Sequence, residues 1–272
     1  MNLTKLVAVR EWVSAWKTVW QQKTFALASA LLDLVFLISF GFLTAPVLGK
    51  LQQHVIIIGS LVSKQLQVPA GRARPAVIDT LFQPPASAYV WQFLGLLFIL
   101  ALIVFLLYSI VQGLNWWLAM SAAGHGKEWK SFLLRFARVN VLWFVLVLLW
   151  FCVDTLLDLR RLLVEKATGE AFGSSGSIVL SVLFVALAYF ALASYPLLSV
   201  RRAFTVGVRK AGVLIPAALI IAVHFFAGNF IVRWLQGINT TVMFLVGAVL
   251  LFALLAWARV YITRIVSGES HV

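Results

Sequence analysis

The chain has 272 residues, of which 62% are hydrophobic and 11% charged, against about 25% charged in a soluble domain. Lys and Arg outnumber Asp and Glu 22 to 9, giving a net charge of +13. Such a surface excludes a water-soluble fold. Because the basic residues flank apolar stretches, with no zinc-finger spacing and no aromatic-basic motif, they point to anionic lipid head groups rather than to nucleic acid.

In chain order, residues 1–23 form a basic amphipathic arm. Val9, Trp12, Val13, Trp16, Val19 and Trp20 fall on one helical face and Arg10, Ser14, Lys17 and Gln21 on the other. This is the pattern of a helix lying at the membrane interface, with Trp12, Trp16 and Trp20 at the acyl boundary and Arg10 and Lys17 reaching phosphates. The first apolar stretch begins near Thr24, too late and too long for a cleavable signal, so it is expected to remain as a span.

Residues 24–268 read as a single membrane domain with six spans at 24–47, 89–111, 139–157, 176–198, 213–232 and 241–262, each near the 20 or so residues a helix needs to cross lipid. The runs are continuously apolar rather than alternating, which excludes barrel strands. The fold expected is therefore an all-α, polytopic helical bundle. Three times a basic stretch leads into an outward-going span, but no residue-level motif repeats. Small residues one turn apart, Ala218 and Ala222, are expected to mark a close helix contact in the fifth span.

Orientation follows from the basic flanks. The arm carries Lys5, Arg10, Lys17 and Lys23; the second loop carries Lys127, Lys130, Arg135 and Arg138; the fourth carries Arg201, Arg202, Arg209 and Lys210; and the C-terminal end carries Arg259 and Arg264. These groups, the larger share of the basic residues, are assigned to the cytoplasm together with both termini. The second-loop and fourth-loop residues are read as head-group contacts. The remaining tail is residues 269–272.

The outside loop, residues 48–88, opens with Leu51, Val55, Ile58 and Val62 at helical steps, so a second amphipathic helix is expected over residues 50–67, continuing the first span past Pro46. It could face the outer leaflet, cap the bundle or bind a protein partner. Pro69, Gly71, Pro75, Pro84 and Pro85 then break the pattern.

Soluble-enzyme signatures such as H-E-x-x-H, paired C-x-x-C, G-x-S-x-G or a Walker A loop do not occur in the chain, so neither a catalytic set nor a cofactor site is assigned. The four histidines have no metal-ligand spacing, and the single Cys152 lies in an apolar run. Asp33 is the deepest carboxylate, about 13 Å into the first span by helical rise. His224 is about 16 Å into the fifth from the same side, so the two are candidates for a titratable intramembrane pair. Asp154, followed by Asp158, Arg160 and Arg161, reads as an interfacial cluster. Sparse intramembrane polarity favours a non-catalytic scaffold or subunit of a membrane complex. The alternative is a transporter, channel or flippase with a largely apolar passage, proton-linked through Asp33.

Overall fold

The computed structural model describes residues 3–66, 83–126, 128–168 and 175–268, and side chains over 7–61, 83–126, 128–158 and 178–268. Within these residues the chain is all-α. Lys127, the tail 269–272, the proline-rich stretch 67–82 and the side chains of Lys5, Arg160 and Arg161 lie outside them. The elements are α1 (Leu3–Gln21), α2 (Lys23–Leu66), α3 (Ala86–Leu107), a π-helical turn (Tyr108–Gln112), α4 (Gly113–Ala122), α5 (Trp129–Thr168), α6 (Ser175–Leu197), α7 (Val200–Arg209), α8 (Ala211–Gln236) and α9 (Thr240–Ser267).

Among the described residues six helical stretches are long and apolar enough to cross a bilayer: Lys23–Leu61, Ala86–Ala122, Trp129–Asp158, Ile178–Leu197, Ala211–Gln236 and Thr240–Ser267. The chain is thus a multi-pass membrane protein, and helices are the form these runs take because lipid offers the backbone no hydrogen-bonding partner. The second and third stretches reach well past their apolar runs on the side of the basic flank. The second continues through the π turn to Ala122, and the third begins at Trp129, so Lys130, Arg135 and Arg138 project from the first turns of α5 instead of from a loop. Helix α2 continues unbroken through Pro46 to Leu66.

The fold divides into two units, Met1–Asp33 with Ser109–Val272, and Leu34–Tyr108. In the first, α9 is the central helix, packed on α8, α1, α6 and α4, while α5 packs on α4 and α6. The inward stripe of α8 is Leu214, Ala217 and Gly228, with Leu254 closing on Gly228; Ala218 and Ala222, expected there, are exposed. Tryptophans α5 presents to α6 are tied by hydrogen bonds, Trp143 Nε1 to Ser194 Oγ at 2.8 Å and Trp150 Nε1 to the Leu180 carbonyl at 2.9 Å. Each satisfies an indole N–H that lipid could not.

Helix α7 lies across α6 at Gly207, where the Tyr189 hydroxyl donates to the Gly207 carbonyl at 2.8 Å and a Cβ would stand 2.8 Å from the Phe190 ring. Leu198, at φ 53, turns the chain from α6, and Ser199 caps α7.

In the second unit the C-terminal half of α2 reaches α3 through a polar side chain. His54 bridges them: its Nδ1 meets the Lys50 carbonyl at 2.8 Å and its Nε2 the Gln92 side chain at 3.0 Å. Phe42 and Phe98 in this unit are 79% and 71% exposed, surfaces that suit lipid and not water.

Candidate functional site

The amphipathic arm meets the bundle on a different face from the one its hydrophobic pattern suggested. Ala8, Ala15, Thr18 and Val19 are buried, and Trp12 and Trp16 are half-buried, against α8 and α9. Arg264 of α9 draws in the polar residues, donating to Ser14 Oγ at 2.7 Å and Thr18 Oγ1 at 2.8 Å, and the Tyr261 hydroxyl donates to the Ala8 carbonyl. The anchors therefore separate. Trp12 and Trp16 face protein, whereas Trp20, Val9 and Val13 share the exposed side with Arg10 and Lys17.

His224 belongs to this aromatic contact. Trp12 Nε1 donates to its Nε2 at 3.3 Å, and its Nδ1 lies 2.7 Å from the Ile220 carbonyl. Only the neutral Nδ1–H tautomer meets both bonds, since a carbonyl can only accept. The ring stands 4.7 Å from that of Trp257, which is stacked between Trp16 and Tyr261 at 5.3 Å each. Asp33 and His224 are not brought together: both nitrogens of the imidazole are taken by other groups.

Asp33 instead meets Arg259. The carboxylate and guanidinium form an end-on, two-pronged pair, Nη1 to Oδ2 at 2.8 Å and Nη2 to Oδ1 at 2.7 Å, with side chains 3% and 7% exposed. Ser29, one turn before Asp33 on α2, accepts from Arg259 Nη1 at 3.1 Å. Gln112 bridges the pair, its Oε1 accepting from Arg259 Nη2 at 2.8 Å and its Nε2 donating to Asp33 Oδ1 at 3.2 Å. Asn115 Nδ2 adds a further bond to Oδ1 at 2.9 Å. Four donor bonds thus reach the carboxylate, which is what a buried charge requires to persist in low dielectric. The Asn115 Oδ1 is buried with no hydrogen-bond partner among the described residues.

Three helices converge to make this network, each entering from the end near the basic flank. Asp33 is ten residues past the start of α2, Gln112 ten before the end of α4, and Arg259 eight before the end of α9, so helical rise sets all three about 12–15 Å deep. The π turn widens the backbone just before α4, and Ser109, Gln112, Asn115, Trp116 and Ala119 are all buried. Such turns re-aim side chains at functional sites. Ser109, within the same turn, accepts from Asn140 Nδ2 of α5 at 2.9 Å, a separate buried polar contact to a fourth helix.

Sequence reasoning missed Arg259, Gln112 and Asn115. Arg259, expected among the cytoplasmic flank charges, is buried and paired with Asp33 inside the bundle. The signal was present, because Arg259 falls inside the sixth apolar run, the only Lys or Arg within any of the six expected spans. Gln112 and Asn115 were lost by ending the second span at Val111. No protein-family model, curated protein or solved structure matches the chain.

The remaining basic residues stand apart from this network. Lys130, Arg135 and Arg138 are exposed on α5, and Arg201, Arg202 and Arg209 on α7. Lys210 is turned to the end of α9, with Nζ 3.4 Å from the Ile265 carbonyl, where a cation meets the negative end of the helix dipole. Among the described residues there is no group of three His, Cys, Asp or Glu able to hold a metal ion. Cys152 is exposed, and Asp158 is exposed with Asp154 half-buried.

Proposed function

We propose that this protein is a non-catalytic membrane component, a scaffold or subunit of a membrane complex, whose buried charge network fixes helix arrangement. The observation that carries the reading is the state of Asp33, neutralised by Arg259 and saturated by amide donors. A carboxylate serving a proton or ion path would need access to water and freedom to exchange partners.

The partner surface fits the outer part of α2. Val55 and Ile56 are 55% and 64% exposed and lie eight and nine residues past Val47, where the apolar run that begins at Thr24 ends. That run already supplies the 20 or so residues needed to cross the hydrocarbon, and the exposed Lys50 separates it from them. Exposed apolar side chains beyond the lipid core are suited to a protein partner.

Two features favour transport as the alternative: the π turn that carries Gln112, and the unpartnered Asn115 Oδ1 beside Asp33. One experiment separates the readings. Affinity purification in mild detergent should recover a fixed set of proteins that the Val55→Glu, Ile56→Glu double variant loses, while proteoliposomes show no ion or proton flux. A proton-dependent flux in the native protein that Asp33→Asn abolishes without unfolding would overturn the scaffold reading in favour of transport.

A further inference from the structure

Helix α7 divides into three arcs. Ala203, Val206 and Gly207 are buried toward the protein; Phe204 and Val208 form an exposed apolar flank, 43% and 68% accessible; Arg201, Arg202, Thr205 and Arg209 form the third. At 100° per residue the four members of the last arc fall within about 100° of one another. They line one cavity of about 460 Å³, with Leu197 and Val206 supplying its apolar wall. That volume lies in the range of small-ligand sites, about 300–1,000 Å³.

None of these three guanidinium groups has a carboxylate partner among the described residues; the ion pairs there belong to Arg10, Arg259 and Arg264. Three like charges on ten residues repel one another unless an anion sits between them. Guanidinium forks match a pair of phosphate oxygens bidentately, and the Thr205 hydroxyl, turned back to donate to the Arg201 carbonyl at 3.1 Å, leaves recognition of the anion to the arginines.

The geometry points to a saturable site on α7 for a phosphomonoester head group of a membrane lipid, held by Arg201, Arg202 and Arg209. The exposed Phe204 and Val208 beside the arginines decide the source: an apolar flank adjoining a basic one is how a helix lies at the lipid interface, and acyl chains descend on that flank while the phosphate enters the cavity. Three cations favour a doubly charged monoester over a singly charged diester or a zwitterion.

The test uses the full-length, delipidated protein in detergent, with native mass spectrometry and thermal shift against phosphatidic acid, phosphatidylglycerol, phosphatidylcholine, and soluble glycerol 3-phosphate and inorganic phosphate. One equivalent of phosphatidic acid should bind at least about tenfold more tightly than phosphatidylcholine, and more tightly than phosphatidylglycerol. Arg202→Gln and Arg209→Gln should each weaken it by about tenfold without changing the melting temperature of the lipid-free protein. Arg135→Gln and Arg138→Gln, on α5, should leave it unchanged. Equal binding of all three lipids, equal loss from the α5 and α7 substitutions, or soluble phosphates binding as well as the lipid would each overturn the assignment, the last by showing a free-phosphate site.

Discussion

Removing Arg259 tests the central packing argument most directly. In Arg259→Met the carboxylate of Asp33 loses two charge-assisted bonds, 2.8 and 2.7 Å long, and keeps only the amide donors of Gln112 and Asn115. At about 1.5–3 kcal/mol per bond to a charged group, the loss is roughly 3–6 kcal/mol, in line with the 3–5 kcal/mol typical of breaking a buried pair. Asp33→Leu should cost a similar amount, because it strands a guanidinium with only Ser29 and Gln112 as acceptors. The double variant should cost only about 0–2 kcal/mol, since no charge is left buried and only the neutral groups are under-used. Reversible unfolding in bicelles by titration with a denaturing detergent, run as a double-mutant cycle, gives the coupling directly. A coupling of about 4 kcal/mol or more is expected. A value near 0.6 kcal/mol, the average for polar contacts between membrane helices, would refute the view that this pair holds α2 to α9.

Other consequences follow from single contacts. Gly207→Ala places a methyl 2.8 Å from the Phe190 ring, so it should destabilise by about 1–3 kcal/mol and loosen α7 from α6, read as a lower melting temperature in detergent. Ser194→Ala leaves the buried indole N–H of Trp143 without its acceptor and should cost about 1–3 kcal/mol, whereas Ser194→Thr, which keeps the hydroxyl, should cost less. On the arm, Ala15→Leu overpacks a fully buried position and should lose about 1–3 kcal/mol; Trp20→Ala, at a side chain 74% exposed, should stay within about 0.5 kcal/mol, and the reverse order would mean the arm packs by another face. In a Cys152→Ser background, cysteines placed at Arg135 and Lys50 should react with an impermeant maleimide from opposite sides of sealed vesicles; labelling from the same side would contradict the assigned orientation.

Membrane residence and the number of apolar helices were legible because each depends on a property local to the chain. A run of about 20 apolar residues with no internal partner for its backbone has only the helix open to it in lipid, and that holds whatever its neighbours are. Asp33 stood out for the same local reason, as a carboxylate inside such a run. Its partner did not, because every in-membrane partner at matching depth was equally available to a one-dimensional reading: His224 and Arg259 lie at similar heights, and only the packing of α9 against α2, α4 and α8 decides between them. The arm shows the same limit. Its hydrophobic pattern predicts a helix with an apolar face, but Ala8 and Ala15 permit close approach, and Arg264 pulls Ser14 and Thr18 inward, rotating Val9, Val13 and Trp20 outward. What the chain settles alone is which segments leave water, since transfer energy adds along the sequence. Which polar groups find each other inside is a property of helix neighbours, and for Asp33, Gln112 and Arg259 those neighbours come from positions as much as 226 residues apart.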